Sequence, residues 1–190
     1  MQEIYERARN IRVAAFDVDG VLTDGALYYA DSGEELKRFS VHDGHGMRML
    51  KDSGVTLAVI TSRRSRCVEE RARNLGIELL YQGAADKLAA FRELLGRCGI
   101  EAAACAYVGD DLVDLPVMKR CGLAVTVPGA PAPVRRQAHW VTRARGGDGA
   151  VREFSELILY AQGSLATRVA EYAENDRLKE SGVITPVDRA

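Results

Sequence analysis

Arg12-Val-Ala-Ala-Phe16-Asp17-Val-Asp19-Gly20-Val-Leu-Thr-Asp24 is the stretch on which the fold turns. Four apolar residues, 13–16, run without interruption into two carboxylates and a glycine. An apolar run of that length reads as a strand buried on both faces, and the sudden Asp-x-Asp-Gly marks its carboxyl end. The pattern recurs down the chain. Residues 55–60 run into Thr61-Ser62-Arg63, residues 104–108 run into Gly109-Asp110-Asp111, and 77–81 and 123–127 are further apolar runs. Between them, 46–53, 65–75, 86–98 and 112–120 carry helical spacing, and several close on a glycine: Gly54, Gly76, Gly99 and Gly122. Strands alternating with helices predict an α/β fold, a doubly wound, Rossmann-like parallel sheet covered on both faces.

Two segments depart from the alternation. Residues 26–40 carry the turn signal Asp31-Ser32-Gly33 between Leu27-Tyr-Tyr29 and Leu36-Lys-Arg-Phe39, which predicts a hairpin projecting from the sheet. After Gly149 the spacing predicts one long helix to about residue 175, and the tail beyond has no core pattern and is expected to be flexible. The expected organisation is therefore one domain over 1–163, with the helix end and tail in 164–190. The gaps from Asp24 to Thr61 and from Thr61 to Lys87 are too short to hold a separate lid domain.

Composition excludes whole classes. The 190 residues are 47% apolar, enough for one core, and 26 basic against 27 acidic residues give a charge of −1. No basic excess points to nucleic acid or to a membrane surface. The N-terminal apolar run stops at Asp17, so neither a signal peptide nor a membrane helix is written in residues 1–16, and a cytoplasmic location is expected. Cys67, Cys98, Cys105 and Cys121 have no metal-ligand spacing and read as reduced thiols. His42, His45 and His139 also lack such spacing, and Trp140 reads as core. Arg64, Arg66 and Arg73 read as a solvated helix face.

Ligands of open α/β sheets bind at the carboxyl ends of the strands. Those ends, with the loops after them, deliver Asp17, Asp19, Thr61, Lys87, Asp110, Asp111 and Asp114. Converging carboxylates repel one another unless a hard cation lies between them, and an oxygen-only donor set suits Mg²⁺. A lysine and a hydroxyl beside that cation call for an anion, which a phosphate supplies. Of two carboxylates spaced i and i+2, one can attack phosphorus while the other moves a proton. An EF-hand loop needs its glycine at the sixth position, whereas Gly20 is fourth with Asp17 as the first, so a calcium loop is excluded. Taken singly, Gly-Asp-Asp could cap a helix and Lys87 could be a solvated helix residue.

These residues resemble the haloacid dehalogenase superfamily of phosphohydrolases. The resemblance rests on Asp17-x-Asp19-Gly20, Thr61, Lys87 and Gly109-Asp110-Asp111-x-x-Asp114. It extends to Phe39-x-Val41-x-Asp43-Gly44-x-Gly46, Tyr81-Gln-Gly83 and Arg145-Gly-Gly-x-Gly-Ala-Val-Arg152-Glu153, a pattern similar to that of capless members acting on sugar-acid phosphates. The resemblance implies that Asp17 is the nucleophile and Asp19 the general acid and base. It implies Mg²⁺ on the Asp17 carboxylate, the Asp19 carbonyl and Asp110, supported by Asp111 and Asp114. Thr61 and Lys87 would hold the phosphoryl oxygens. A loop of Ser40, Val41, His42, Asp43 and Gly44, with Arg48, Arg63, Arg71, Lys87, Asp19 and Asp111, would face the substrate.

The implied substrate is the 8-phosphate of the eight-carbon sugar acid 3-deoxy-D-manno-octulosonate, a lipopolysaccharide precursor. Arginine at position 63 favours it over a nine-carbon 9-phosphate, where the similar enzymes carry glutamate more often. Ser62 departs from the usual Thr-Gly-Arg of the family. The resemblance also implies a homotetramer whose subunits close one another's sites, with Leu27, Tyr28 and Tyr29 at the contact. Against this stand two other readings, a phosphatase for a phosphoprotein, a nucleic-acid end or another phosphomonoester, and a non-catalytic tetramerisation domain.

Overall fold

The computed structural model describes residues 1–174. Its order is α1 (Gln2–Arg9), β1 (Val13–Phe16), β2 (Tyr28–Tyr29), β3 (Glu35–Leu36), α2 (Val41–Asp52), β4 (Thr56–Thr61), α3 (Arg66–Leu75) and β5 (Leu79–Gln82). Then come α4 (Lys87–Cys98), β6 (Cys105–Val108), α5 (Leu115–Met118), β7 (Leu123–Thr126), α6 (Ala132–Gln137), β8 (Trp140–Val141), α7 (Ala150–Ala161) and α8 (Leu165–Ala173).

Six strands form one sheet in the order β5-β4-β1-β6-β7-β8, and every neighbouring pair is parallel. The order reverses at β1, which lies between β4 and β6, so the loops after these three strands meet at a switch point. Alternation along each strand feeds two cores. Ala14, Phe16, Leu57, Val59, Ala106 and Val108 face α1, α2, α3 and α7, through residues such as Met47, Leu50, Val68, Phe154 and Ile158. Val13, Ala15, Ala58, Ile60, Cys105 and Tyr107 face α4, α5 and α6, through Phe91, Leu94, Val117 and Val134. A sheet buried on both sides is what made these strands read as unbroken apolar runs.

The hairpin is present as the two-stranded ribbon β2–β3, pairing Tyr28 with Leu36 and Tyr29 with Glu35. Trp140 packs against the larger core, and all four cysteines are free.

Several boundaries differ from expectation. The segment 40–44, read as a loop, is the first turn of α2, because the Ser40 side chain accepts the Asp43 N–H as an N-cap. The helix expected over 112–120 is a single 3₁₀ turn (Leu112–Asp114) followed by the short α5, with Pro116 in its first turn. The helix expected from 149 to 175 is two helices. Gly163, at φ 74°, ends the first, since a left-handed residue cannot continue a right-handed helix. Helix α8 then docks on α2, with Arg168 donating to Ser53 Oγ (2.9 Å) and to the Asp52 carbonyl (2.6 Å). The expectations for 175–190 lie outside the described residues. Helices α1 and α6 and the short β8 were not expected. Among the described residues no helix is long and apolar enough to cross a membrane.

Candidate active site

The loops after β1, β4 and β6 and the first residue of α4 converge on a pocket of about 300 Å³. Asp17, Asp19, Gly25, Thr61, Ser62, Arg63, Lys87, Asp110, Asp111 and Val113 line it. Asp17 prolongs β1, its N–H donating to the Val108 carbonyl at 2.9 Å, so the carboxylate is aimed by the sheet. The chain turns away at once through Gly20, at φ 88°, where a Cβ would fall 2.1 Å from Asp110 Oδ2. Only glycine lets the two loops approach this closely.

The floor of the pocket is a buried charge network. Lys87 Nζ lies 2.8 Å from Asp17 Oδ2 and 2.7 Å from Asp114 Oδ1. Asp114 is fully buried and saturated. Tyr107 Oη donates to its Oδ1 at 2.7 Å, and the N–H groups of Asp110 and Asp111 donate to its Oδ2 at 3.0 and 3.1 Å. Burial, then the Asp114 charge, raises Asp17 to about 6 despite Lys87. Burial, then Asp17 and Asp114, raises Asp110 to about 7. Burial alone would lower Lys87, but the two aspartates outweigh it and keep the ammonium charged.

Carboxylate oxygens of Asp17, Asp110 and Asp114 lie within 4.8 Å of one another. Asp110 Oδ1 is buried without a hydrogen-bond partner among the described residues. An unpartnered carboxylate oxygen in a low-dielectric pocket is costly, and a hard divalent cation is the partner that removes the cost. Asp114 has its donors already, so Asp17 and Asp110 are the side chains left to hold such an ion. The donor set therefore fits a divalent metal.

The rim is built differently. Asp19 Oδ1 meets Lys37 Nζ at 2.5 Å, and Asp19 Oδ2 lies 3.8 Å from Arg63 Nε. Both cations also reach Glu35, at 3.2 Å from Lys37 and 2.6 Å from Arg63. The hairpin thus leans over the pocket mouth through β3 and Lys37.

Of the residues singled out from sequence, Asp17, Asp19, Thr61, Lys87, Arg63, Asp110 and Asp111 share this pocket, and Asp114 lies beneath it. Ser40, Asp43, Gly44 and Arg71 line a different, smaller hollow with Phe39 and Met47. There Asp43 is buried and accepts N–H bonds from Gly149 (3.3 Å) and Arg152 (2.7 Å), which ties α2 to the start of α7. Arg71 donates to the Ser40 carbonyl at 2.8 Å and its guanidinium sits 5.7 Å from the Phe39 ring centre. Val41, His42 and Arg48 are exposed, and Arg48 donates to the Asn74 carbonyl at 3.0 Å. Within one chain these residues do not touch the Asp17 pocket. Ser62 has no left-handed backbone and donates its hydroxyl to the Ala84 carbonyl at 3.2 Å, so serine is accommodated there without strain.

Comparison with known proteins decides the family. A model of haloacid dehalogenase-like hydrolases matches residues 41–122. The 3-deoxy-D-manno-octulosonate 8-phosphate phosphatase of Yersinia pestis is 50% identical over 163 residues, 86% of this chain and 87% of that protein. The chain belongs to this phosphatase family of the haloacid dehalogenase-like hydrolases. The Escherichia coli K12 phosphatase of the same name is 48% identical over the same share of each chain. Among solved structures, a probable phosphatase from Pseudomonas syringae is 50% identical with a TM-score of 0.90, covering 92% of this chain and 99% of that one. The phosphatase of Moraxella catarrhalis, solved with a magnesium ion, a phosphate ion and a KDO molecule, is 45% identical with a TM-score of 0.89. It covers 90% of this chain and 99% of its own.

A member of this phosphatase family is a phosphomonoester hydrolase, and two of its residues here escaped the sequence reading. Tyr107 sits inside an apolar strand, and its only signal was a phenol on a buried strand two residues before Gly109. Lys37 reads as hairpin surface, and its signal was period-two spacing from Glu35, which puts both on one face of the ribbon.

Proposed function

We propose that the chain hydrolyses 3-deoxy-D-manno-octulosonate 8-phosphate, with Mg²⁺ at Asp17 and Asp110, through an aspartyl phosphate on Asp17. The observation that carries this reading is the buried Asp17–Lys87–Asp114 floor facing the unpartnered Asp110 oxygen, in a chain whose Moraxella relative was solved with magnesium, phosphate and KDO. Asp17 attacks phosphorus, and the bond from phosphorus to the sugar oxygen breaks. Asp19 gives that oxygen its proton. It then takes a proton from the water that attacks the aspartyl phosphate, which regenerates Asp17 and releases phosphate. Thr61 and Lys87 hold the phosphoryl oxygens as charge moves onto them. The cation, held also by the Asp19 carbonyl, supplies the positive charge that lets two anions meet. Asp111 stands at the pocket edge, and Asp114 fixes Lys87 and the loop that carries Asp110.

Arg63, at the rim beside Asp19, takes the sugar carboxylate in a guanidinium fork, and arginine rather than glutamate at this position favours the eight-carbon acid over a nine-carbon one. Ser40, Val41, His42, Asp43, Gly44, Arg48 and Arg71 then serve the pocket of a neighbouring copy in a homotetramer. The exposure of Val41, His42 and Arg48 on one chain, and the exposed Leu27, Tyr28, Tyr29 and Leu36 of the hairpin, support that assembly. The product would enter lipopolysaccharide precursor synthesis.

The test is phosphate release with Mg²⁺, with and without chelator. The panel is the eight-carbon 8-phosphate, a nine-carbon 9-phosphate, arabinose 5-phosphate and a phosphopeptide. Chelator-sensitive preference for the first is expected. Preference for another member keeps the chemistry and discards the substrate. Inactivity on all four removes the reading.

A further inference from the structure

The pocket mouth holds a second ion cluster that the proposed chemistry has not used. Lys37 lies just beyond β3, and its side chain is 1% exposed although it belongs to a projecting hairpin. A lysine normally keeps its ammonium in water. This one is buried between two carboxylates, 2.5 Å from Asp19 Oδ1 and 3.2 Å from Glu35 Oε1. Glu35 is held on its other oxygen by Arg63 at 2.6 Å, and Arg63 reaches Tyr29 Oη at 3.5 Å. The chain of contacts Asp19–Lys37–Glu35–Arg63 closes on itself, because Arg63 Nε also faces Asp19 Oδ2 at 3.8 Å. Asp19 Oδ1 is therefore held by Lys37 at hydrogen-bond distance, whereas Arg63 only faces Oδ2. Nothing else among the described residues hydrogen-bonds that carboxylate.

We infer that Lys37, anchored by Glu35, is a positioning residue for the Asp19 carboxylate, so that the hairpin sets the geometry of leaving-group protonation. The inference rests on the proposed role of Asp19. A free aspartate at a loop tip samples several side-chain orientations, and proton transfer requires one of them. The Lys37 contact, reaching it from the ribbon, holds it in one.

The experiment compares kcat/KM for two substrates, because this ratio covers the steps up to departure of the alcohol and excludes hydrolysis of the aspartyl phosphate. The sugar-acid 8-phosphate has a poor leaving group that needs a proton. p-Nitrophenyl phosphate has a leaving group that departs unprotonated. Lys37→Met is expected to lower kcat/KM for the sugar phosphate by about 10–100-fold, a fraction of the ~10²–10⁴-fold that a general acid supplies. It is expected to leave p-nitrophenyl phosphate within about threefold, and Lys37→Arg should recover most of the loss. Glu35→Gln, which keeps the hairpin's volume, should repeat the selective loss more weakly and guards against a Lys37→Met variant that does not fold.

Equal losses on both substrates, or no loss on either, would overturn the inference. A wild-type protein that hydrolyses neither phosphate would instead remove the functional reading beneath it.

Discussion

The floor and the rim of the pocket use the same chemistry, carboxylates against cations, and differ in what holds them. Asp17 prolongs β1, Lys87 opens α4 and Asp114 ends the 3₁₀ turn after β6; all three are almost fully buried, and Asp114 carries four donors. Asp19, Lys37, Glu35 and Arg63 come from two loops and a ribbon of two-residue strands, and Arg63 is 42% exposed at its side chain. A fully buried network is rigid and expensive to break, whereas one that opens to solvent at Arg63 is partly screened and more adjustable. The floor therefore suits the invariant part of the reaction, the phosphoryl group, and the rim suits the variable part, the alcohol that leaves. Mutations should separate the two.

The largest effect is expected at the floor. Asp17→Asn removes the attacking charge with almost no change in volume, and turnover should fall by more than about 10⁴-fold on every substrate. Circular dichroism and the oligomer size should be unchanged. Retained turnover would sink the aspartyl-phosphate mechanism.

Asp114 tests whether the floor is one unit. Asp114→Ala strands Tyr107 and two backbone N–H groups in a buried place and leaves the buried Lys87 with Asp17 alone, so a loss of about 3–5 kcal/mol of stability is expected along with activity. Tyr107→Phe removes only one donor, and about 1 kcal/mol is expected. Denaturant unfolding of both variants measures the difference, and equal small losses would mean the network is not cooperative.

The raised acids of the floor give a pH dependence. Asp17 titrates near 6 and Asp110 near 7 when folded, against 3.8 for each in an ordinary setting. A carboxyl whose folded value is raised costs nothing below its unfolded value, and stability is lost as pH rises through the folded value. The metal-free protein should therefore lose stability between about pH 4 and pH 7.5. At ~1.4 kcal/mol for each tenfold weakening of an acid, the total is on the order of a few kcal/mol, less what solvent screening removes at the half-buried Asp110. Mg²⁺ binds the ionised forms, so it should raise Tm at pH 7.5 and have little effect at pH 5. A metal-induced shift equal at both pH values would count against Asp17 and Asp110 as the ligands.

The same contrast explains what the sequence disclosed. Strands β1, β4, β6 and β7 were legible because each is buried on both faces, and Asp17, Thr61 and Asp110 were legible because they sit where such runs stop. Tyr107 was hidden because one phenol inside an apolar run looks like packing until its partner, seven residues on, is known. The α2 start was misplaced because Ser40 acts as a cap through its side chain, which periodicity does not register. The break at Gly163 was missed because the apolar spacing resumes after it. Asp43 and Gly44 carry a motif, but their contacts with α7 and Arg71 are long-range.

The smallest effect belongs to the rim, and it decides the substrate. Arg63 is tied to Glu35 and only loosely to Asp19, so removing it leaves the floor intact. Arg63→Ala should raise KM for the eight-carbon 8-phosphate by about tenfold, the ~1–2 kcal/mol of an exposed charge-assisted fork, with kcat within about threefold. Arabinose 5-phosphate carries no carboxylate, so its KM should not move. A rise in KM on both substrates would place Arg63 at the phosphate rather than at the sugar acid. A fall in kcat without a rise in KM would mean that Arg63 acts mainly by holding Asp19, and the floor and rim would then be a single machine.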